Sequence, residues 1–138
     1  MGVKVLIVDD EPDVATYLAT ALRAHGHSPT VAHSAADGLE QLRSTLPDLI
    51  CLDIMMPRES GVSMYVKLRK DESYRSIPVV IVSGVGQDGQ LDFRNYVADE
   101  SVPPPERYLE KPIKVEEFIN TVEDLTLASG SSERRAEK

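Results

Sequence analysis

Polar or charged side chains follow four apolar stretches of the sequence at the point where each stretch ends. They are Asp9 and Asp10 after the first stretch, Asp53 after the second, Ser83 after the third and Lys111 after the last. Two carboxylates about 4 Å apart repel by ~4 kcal/mol at an effective dielectric near 20, so three close together require a cation. Oxygen ligands favour magnesium. Carboxylates, a hard cation, an ammonium and a hydroxyl are the parts of a phosphoryl-transfer site.

The nucleophile of such a site is restricted by what the sequence offers. No histidine or cysteine follows one of the apolar stretches, because His25, His27 and His33 lie after the first predicted helix or beside the second strand. A carboxylate is then the remaining nucleophile, and the product would be an aspartyl phosphate.

The apolar stretches themselves predict the strands that would bring these groups together. Val5–Val8, Leu49–Leu52 and Val79–Val82 are short and rich in β-branched residues, as are the buried strands of parallel sheets. Weaker strands are predicted at Pro29–Ala32 and Arg107–Glu110. With helical patterns between them, the order (βα)5 predicts an α/β fold, a flavodoxin-like, doubly wound, five-stranded parallel sheet in the order 2-1-3-4-5. Its ligand site lies at the carboxyl ends of strands 1 and 3.

Local signals predict where the helices begin and end, and the polar composition of the last residues predicts where the domain ends. Gly26 is predicted to end the first helix, and the Ser34–Asp37 stretch resembles a capping box that begins the second. Residues 84–105 are the least readable, with an uncertain helix near 91–98. We expect one domain over residues 1–127 and a flexible polar tail over 128–138.

Composition excludes several classes of function. The chain has 138 residues and a formal charge of −8, which argues against nucleic-acid and anionic-membrane surfaces. The single cysteine, Cys51, excludes an internal disulfide framework. These features predict a cytoplasmic protein, and no apolar run is long enough to span a bilayer.

Taken together, these motifs are similar to those of a known family. The matching segments are Val8-Asp9-Asp10-Glu11, Leu52-Asp53-Ile54-Met55-Met56-Pro57, Gly61, Val82-Ser83-Gly84 and Tyr108-Leu109-Glu110-Lys111-Pro112. In this order, over about residues 3–127, the chain resembles the receiver domain of two-component response regulators, in particular single-domain receivers like the chemotaxis regulator.

The resemblance implies roles for the acidic residues. Asp53 would accept a phosphoryl group from a histidine kinase or a histidine phosphotransfer protein. Asp10, Asp53 and the Met55 backbone carbonyl would ligate Mg2+, and Asp9 would act largely through water. The protein would be a phosphoacceptor that assists its own phosphorylation and dephosphorylation, and not an enzyme acting on a separate substrate.

The resemblance also implies a conformational switch. Lys111 would contact the phosphoryl group, Ser83 would move to donate a hydrogen bond to it, and Tyr108 would turn inward as Ser83 moves. The Lys111–Pro112 peptide bond would be cis. The partner downstream would be an unidentified protein, with no direct contact to nucleic acid or membrane, and the receiver would be a monomer or a weak dimer.

The sequence departs from the family pattern between Ser83 and Lys111. This stretch is several residues longer than usual, and Pro104-Pro105-Glu106-Arg107 stands where the family has a Gly-Ala pair. The usual dimer and output face lies here, so its shape is open. Apolar Met55 and Val85 would flank the phosphoryl group and hinder a hydrolytic water, which predicts a long-lived adduct.

Other interpretations remain open at this point. Asp9, Asp10 and Glu11 would serve as helix-capping acids, but this leaves Asp53 and Lys111 unexplained. A phosphatase with a phosphoaspartate intermediate would want a second acid where Met55 stands. A flavodoxin-like cofactor carrier would want an uncharged loop after strand one. A phosphate-independent interaction module and a receiver cut from a larger regulator complete the alternatives.

Overall fold

The computed structural model describes residues 2–54, 61–83 and 99–126. Within them, strands and helices alternate as predicted as far as the fourth strand; the predicted helix between the fourth and fifth strands falls on residues that are not described. Their bounds are β1 Lys4–Val8, α1 Pro12–Ala24, β2 Ser28–Ala32, α2 Ala35–Ser44, β3 Leu49–Asp53, α3 Gly61–Lys70, β4 Val79–Ser83, β5 Arg107–Glu110 and α4 Val115–Thr126. The uncertain helix near 91–98, the polar tail and the Met55 carbonyl lie outside the described residues.

The five strands form one parallel sheet in the order β2-β1-β3-β4-β5, which confirms the predicted topology. The order reverses between β1 and β3, where Val8 is level with Leu52. Parallel strands all end at the same edge of the sheet, so the residues that follow β1 and β3 are neighbours there. This is the position at which open α/β sheets bind ligands.

Both faces of the sheet are covered by helices, because successive side chains of a strand point to opposite faces. Ile7, Cys51 and Val80 pack with α1 and α4 on one face. Leu6 and Ile50 pack with α2 and α3 on the other. The central strands are therefore buried on both sides, which is why they read as continuous apolar runs rather than alternating ones.

The helix ends are fixed by the local signals in the sequence. Ser34 Oγ accepts a hydrogen bond from the Asp37 backbone N–H at 3.0 Å, which caps α2 as predicted. Gly26, just beyond α1, has φ 86° and adopts the left-handed conformation that glycine tolerates. Among the described residues, no helix has the length and apolarity needed to cross a membrane.

A buried arginine on α3 anchors the chain that leads into β5. The Arg69 guanidinium donates to the carbonyls of Arg75 and Ile77, both at 2.9 Å, and to Glu106 Oε1 at 2.7 Å. Glu106 Oε1 also accepts from the Val79 backbone N–H at 2.8 Å. Glu106 thus joins the beginning of β4 to α3. It belongs to the Pro104-Pro105-Glu106-Arg107 stretch, where the sequence departs from the Gly-Ala pair of the family that it resembles.

We predict that Arg69→Met lowers the free energy of unfolding by about 3 kcal/mol, because the buried Ile77 carbonyl loses this donor and the hydrogen bonds to the part-buried Arg75 carbonyl and to Glu106 are also lost. Urea unfolding of the purified variant measures this loss. The matched control is Arg75→Met, whose exposed side chain should change stability by less than about 0.5 kcal/mol. Equal stability of the two variants would contradict the anchoring role.

Candidate metal and phosphoryl site

Asp9 is held at the carboxyl end of β1 by two hydrogen bonds. Its backbone N–H donates to the Ala32 carbonyl at 3.0 Å, which extends the β1–β2 pairing by one residue. Its Oδ1 accepts from the Glu11 backbone N–H at 2.9 Å. Asp9 is only 2% exposed, so its orientation is determined by the turn into α1.

Asp53 is the last residue of β3 and is also 2% exposed. The chain beyond it is tied to β4, because the Ile54 backbone N–H donates to the Val82 carbonyl at 3.2 Å. The first residue of α3, Gly61, lies directly against this turn. A Cβ at Gly61 would lie 2.2 Å from the Asp53 carbonyl oxygen, so any larger residue would displace the turn that carries Asp53.

The three predicted acids converge. Asp9, Asp10 and Asp53 each offer a carboxylate oxygen, and these oxygens lie within 4.8 Å of one another. Burial raises the pKa of Asp9 to about 6, and the neighbouring Asp53 charge adds to the effect, although the hydrogen bond from Glu11 opposes it. Buried like charges with oxygen donors fit a hard divalent cation such as Mg2+, which would relieve the repulsion.

Lys111 brings the compensating positive charge to this cluster. Its Nζ lies 3.3 Å from Asp9 Oδ2, 3.3 Å from Asp53 Oδ2 and 2.5 Å from Glu11 Oε1. Partial burial lowers the pKa of Lys111, but the hydrogen bond to Glu11 and the charges of Asp53 and Asp9 outweigh it, so the pKa is raised. The ammonium is therefore charged at neutral pH.

The turn after Lys111 has the predicted geometry. The Lys111–Pro112 peptide bond is cis. The Tyr17 hydroxyl of α1 donates to the Ile113 carbonyl at 2.9 Å, which joins this turn to the helix that follows Asp9 and Asp10. Lys111 is thus positioned from both sides, by β5 and by α1.

The two predicted switch residues lie on the neighbouring strands. Ser83 ends β4 and is paired with Glu110 of β5, so its backbone is level with the residue before Lys111. Tyr108 is paired with Ile81 and is 38% exposed. The predicted Met55 ligand and the flanking residue Val85 lie outside the described residues.

Sequence reasoning misses one member of the site. The position of Glu11 favours a helix-capping role, but its side chain makes no capping hydrogen bond to α1. It contacts Lys111 instead, 100 residues away in the chain. The signal is present, because Glu11 continues the acidic run that contains Asp9 and Asp10.

Comparison with known proteins identifies the family to which the chain is similar. Residues 5–123 match the family model described as the response regulator receiver domain. The chain is 31% identical to protein PilH of Pseudomonas aeruginosa over 119 residues, covering 86% of this chain and 93% of PilH. It is also 32% identical to hybrid signal transduction histidine kinase D of Dictyostelium discoideum over 123 residues. That match covers 88% of this chain but 7% of the kinase.

Solved structures have the same fold. A CheY-like response regulator receiver domain protein from Methanospirillum hungatei superposes with a TM-score of 0.77 at 20% identity, and the match covers the whole of both chains. At this identity the likeness shows the flavodoxin-like fold alone.

We predict that the metal-free protein becomes less stable as the pH rises, through the buried carboxyl of Asp9. The folded-state pKa of about 6 exceeds the ordinary 3.8, so the folded protein binds more protons between these values. The contribution of Asp9 to stability is full below pH 3.8 and is lost as the pH rises through about 6. Asp9→Asn should therefore raise the free energy of unfolding at pH 7 by about 2 kcal/mol.

Urea unfolding with a chelator at pH 5 and pH 7 measures this effect. The gap between Asp9→Asn and wild type should shrink at pH 5, where the wild-type carboxyl is largely protonated. Asp13→Asn, an exposed acid in the first turn of α1, serves as the control and should show no such pH dependence. A destabilised Asp9→Asn at pH 7 would contradict the prediction.

Proposed function

Because the chain belongs to the response regulator receiver family, we propose that it accepts a phosphoryl group on Asp53 and changes conformation as a result. The observation that carries this proposal is the environment of Asp53. Its buried carboxylate lies beside two further aspartates and 3.3 Å from the Lys111 ammonium. Among the described residues Asp9 has the same neighbours, so the choice of Asp53 rests also on its place in the Leu52-Asp53-Ile54-Met55-Met56-Pro57 segment that resembles the family pattern.

Asp53 acts as the nucleophile in this proposal. A carboxylate oxygen attacks the phosphorus of a phosphohistidine, the phosphorus–nitrogen bond breaks, and the imidazole nitrogen leaves with the bonding electron pair. Lys111 stabilises the negative charge on the phosphoryl oxygens during transfer, because its ammonium already lies at the Asp53 carboxylate. The protein assists its own phosphorylation and the later hydrolysis of the phosphoryl group, but it is not an enzyme with a separate substrate.

Mg2+ is the proposed cofactor, and Asp10 and Asp53 are the side chains that would hold it, with Asp9 acting largely through water. When bound, Mg2+ would offset the charge of the carboxylates and of the incoming phosphoryl group. The Met55 carbonyl completes the proposed protein ligands. The convergence of three carboxylate oxygens within 4.8 Å supports this assignment.

The proposed switch lies on β4 and β5. A phosphoryl group adds up to two negative charges and three acceptor oxygens. Ser83 would donate to one of these oxygens, and Tyr108 would then turn inward from its present half-exposed position. Moving such an equilibrium from 1:99 to 99:1 requires about 5.5 kcal/mol of differential contact, which two charge-assisted hydrogen bonds supply in large part.

The proposed partners are a histidine kinase or histidine phosphotransfer protein upstream and a separate protein downstream. A cytoplasmic location fits this role. The match spans 93% of PilH but 7% of hybrid kinase D, so similar domains make up nearly all of one relative and a small part of the other. We also propose that the phosphoryl group on Asp53 is long-lived, because the apolar side chains of Met55 and Val85 would hinder a hydrolytic water.

We predict that incubation with acetyl phosphate and Mg2+ adds one phosphoryl group to the wild-type protein. Intact-mass spectrometry should detect a single adduct of about 80 Da. The adduct should be absent from Asp53→Asn, whose side chain keeps the shape of aspartate but is not a nucleophile. It should also be absent when Mg2+ is chelated.

Asp48→Asn is the matched control, because Asp48 also lies beside β3 but at its opposite end, where it accepts a hydrogen bond from the Lys4 backbone N–H. This variant should be phosphorylated like the wild type. Absence of an adduct on folded wild-type protein, also with a histidine kinase, would favour a phosphate-independent interaction module instead.

A further inference from the structure

The Lys111 ammonium lies closer to Glu11 than to either buried aspartate. The Nζ–Oε1 distance to Glu11 is 2.5 Å, whereas both aspartate oxygens lie at 3.3 Å. A lysine ammonium has three N–H donors, and three carboxylates surround it here. Each donor therefore already has an acceptor in the unphosphorylated protein.

The side chain of Glu11 is available for this contact because α1 does not use it. Glu11 is the N-cap residue of α1, but its carboxylate makes no capping hydrogen bond. Its backbone N–H is bound to Asp9 Oδ1, which fixes the start of the side chain at the edge of the site. The carboxylate contacts the Lys111 ammonium and remains largely exposed to solvent.

The three carboxylates differ in how easily they can release the ammonium. Asp9 and Asp53 have side chains that are 3% exposed, so either would be left as a buried charge. The Glu11 side chain is 58% exposed, and water can take the place of the ammonium. Glu11 is therefore the partner that exchanges with least cost when new acceptor oxygens appear on Asp53.

We propose that Glu11 is a positioning residue that occupies one N–H donor of Lys111 in the unphosphorylated protein and releases it to the phosphoryl oxygens during phosphorylation. This inference rests on the proposed function. The rate of phosphorylation then depends on whether the exposed Glu11 carboxylate is long enough to contact Lys111. Glu11 touches neither the reacting atoms nor the proposed metal; it acts through the Lys111 ammonium.

Two variants separate the contact from the charge. Glu11→Gln removes the negative charge, whereas Glu11→Asp keeps the charge but shortens the side chain by one methylene. Aspartate is also a favoured N-cap, so its carboxylate is drawn to the free N–H groups of α1 rather than to Lys111. Asp13→Asn removes a nearby exposed charge and leaves the Lys111 contact intact.

The experiment measures the rate of adduct formation with acetyl phosphate and with phosphoramidate, which carries less negative charge. We expect Glu11→Asp and Glu11→Gln to be phosphorylated about two- to five-fold faster than wild type with both donors, the range for a half-exposed ion pair. Asp13→Asn should match the wild type.

A second readout needs neither metal nor phosphate. In the chelated protein, the 15N order parameter of the Lys111 ammonium should fall in Glu11→Asp and Glu11→Gln and stay unchanged in Asp13→Asn. A merely structural role of Glu11 in α1 would not change the mobility of this ammonium.

The outcomes are distinct. Wild-type protein that forms no adduct would overturn the proposed function and this inference with it. An adduct on wild type with an unchanged rate in Glu11→Asp would overturn the inference alone. A gain confined to Glu11→Gln and acetyl phosphate would also overturn it, because that pattern is the effect of charge on an anionic donor.

Discussion

Negative charge buried at one edge of the sheet is the constraint on which the rest of the structure depends. Asp9 and Asp53 are almost fully enclosed, and the carboxylate of Asp10 lies within 4.8 Å of theirs. Burial favours the neutral form of Asp9 and raises its pKa to about 6. Lys111 offsets part of the charge, and a divalent cation is the ligand that fits the remainder.

The fold keeps this arrangement in place through contacts at the site and through others at a distance from it. The reversal of strand order places the ends of β1 and β3 side by side. Gly61 lets α3 begin against the Asp53 carbonyl, where a Cβ would collide. At the other end of α3, Arg69 and Glu106 join the chain before β5 to β4, and β5 in turn carries Lys111. The strands and helices thus hold these like-charged groups close together although they repel one another.

The sequence predicts the sheet order and the main site because both depend on local signals. A polar residue after a buried apolar run marks a strand end, so the pattern alone places Asp53 and Lys111 at one edge of the sheet. The contact of Glu11 with Lys111 escapes sequence reasoning, since it joins residues 100 positions apart and the same acid also suits a helix N-terminus. Arg69 escapes it because it stands between the exposed Lys67 and Lys70 and therefore resembles a third solvated base on the helix. The stretch 84–105 has no periodicity, and most of it lies outside the described residues.

The central claim is that the clustered aspartates form a divalent cation site beside Asp53, and calorimetric titration with Mg2+ tests it most directly. Wild-type protein should bind one Mg2+, and Asp10→Asn should bind it at least about ten-fold more weakly. Glu40→Gln, which removes an exposed acid from α2, should bind like the wild type. Equal affinity of wild type and Asp10→Asn, or no binding by the folded wild-type protein, would contradict the claim.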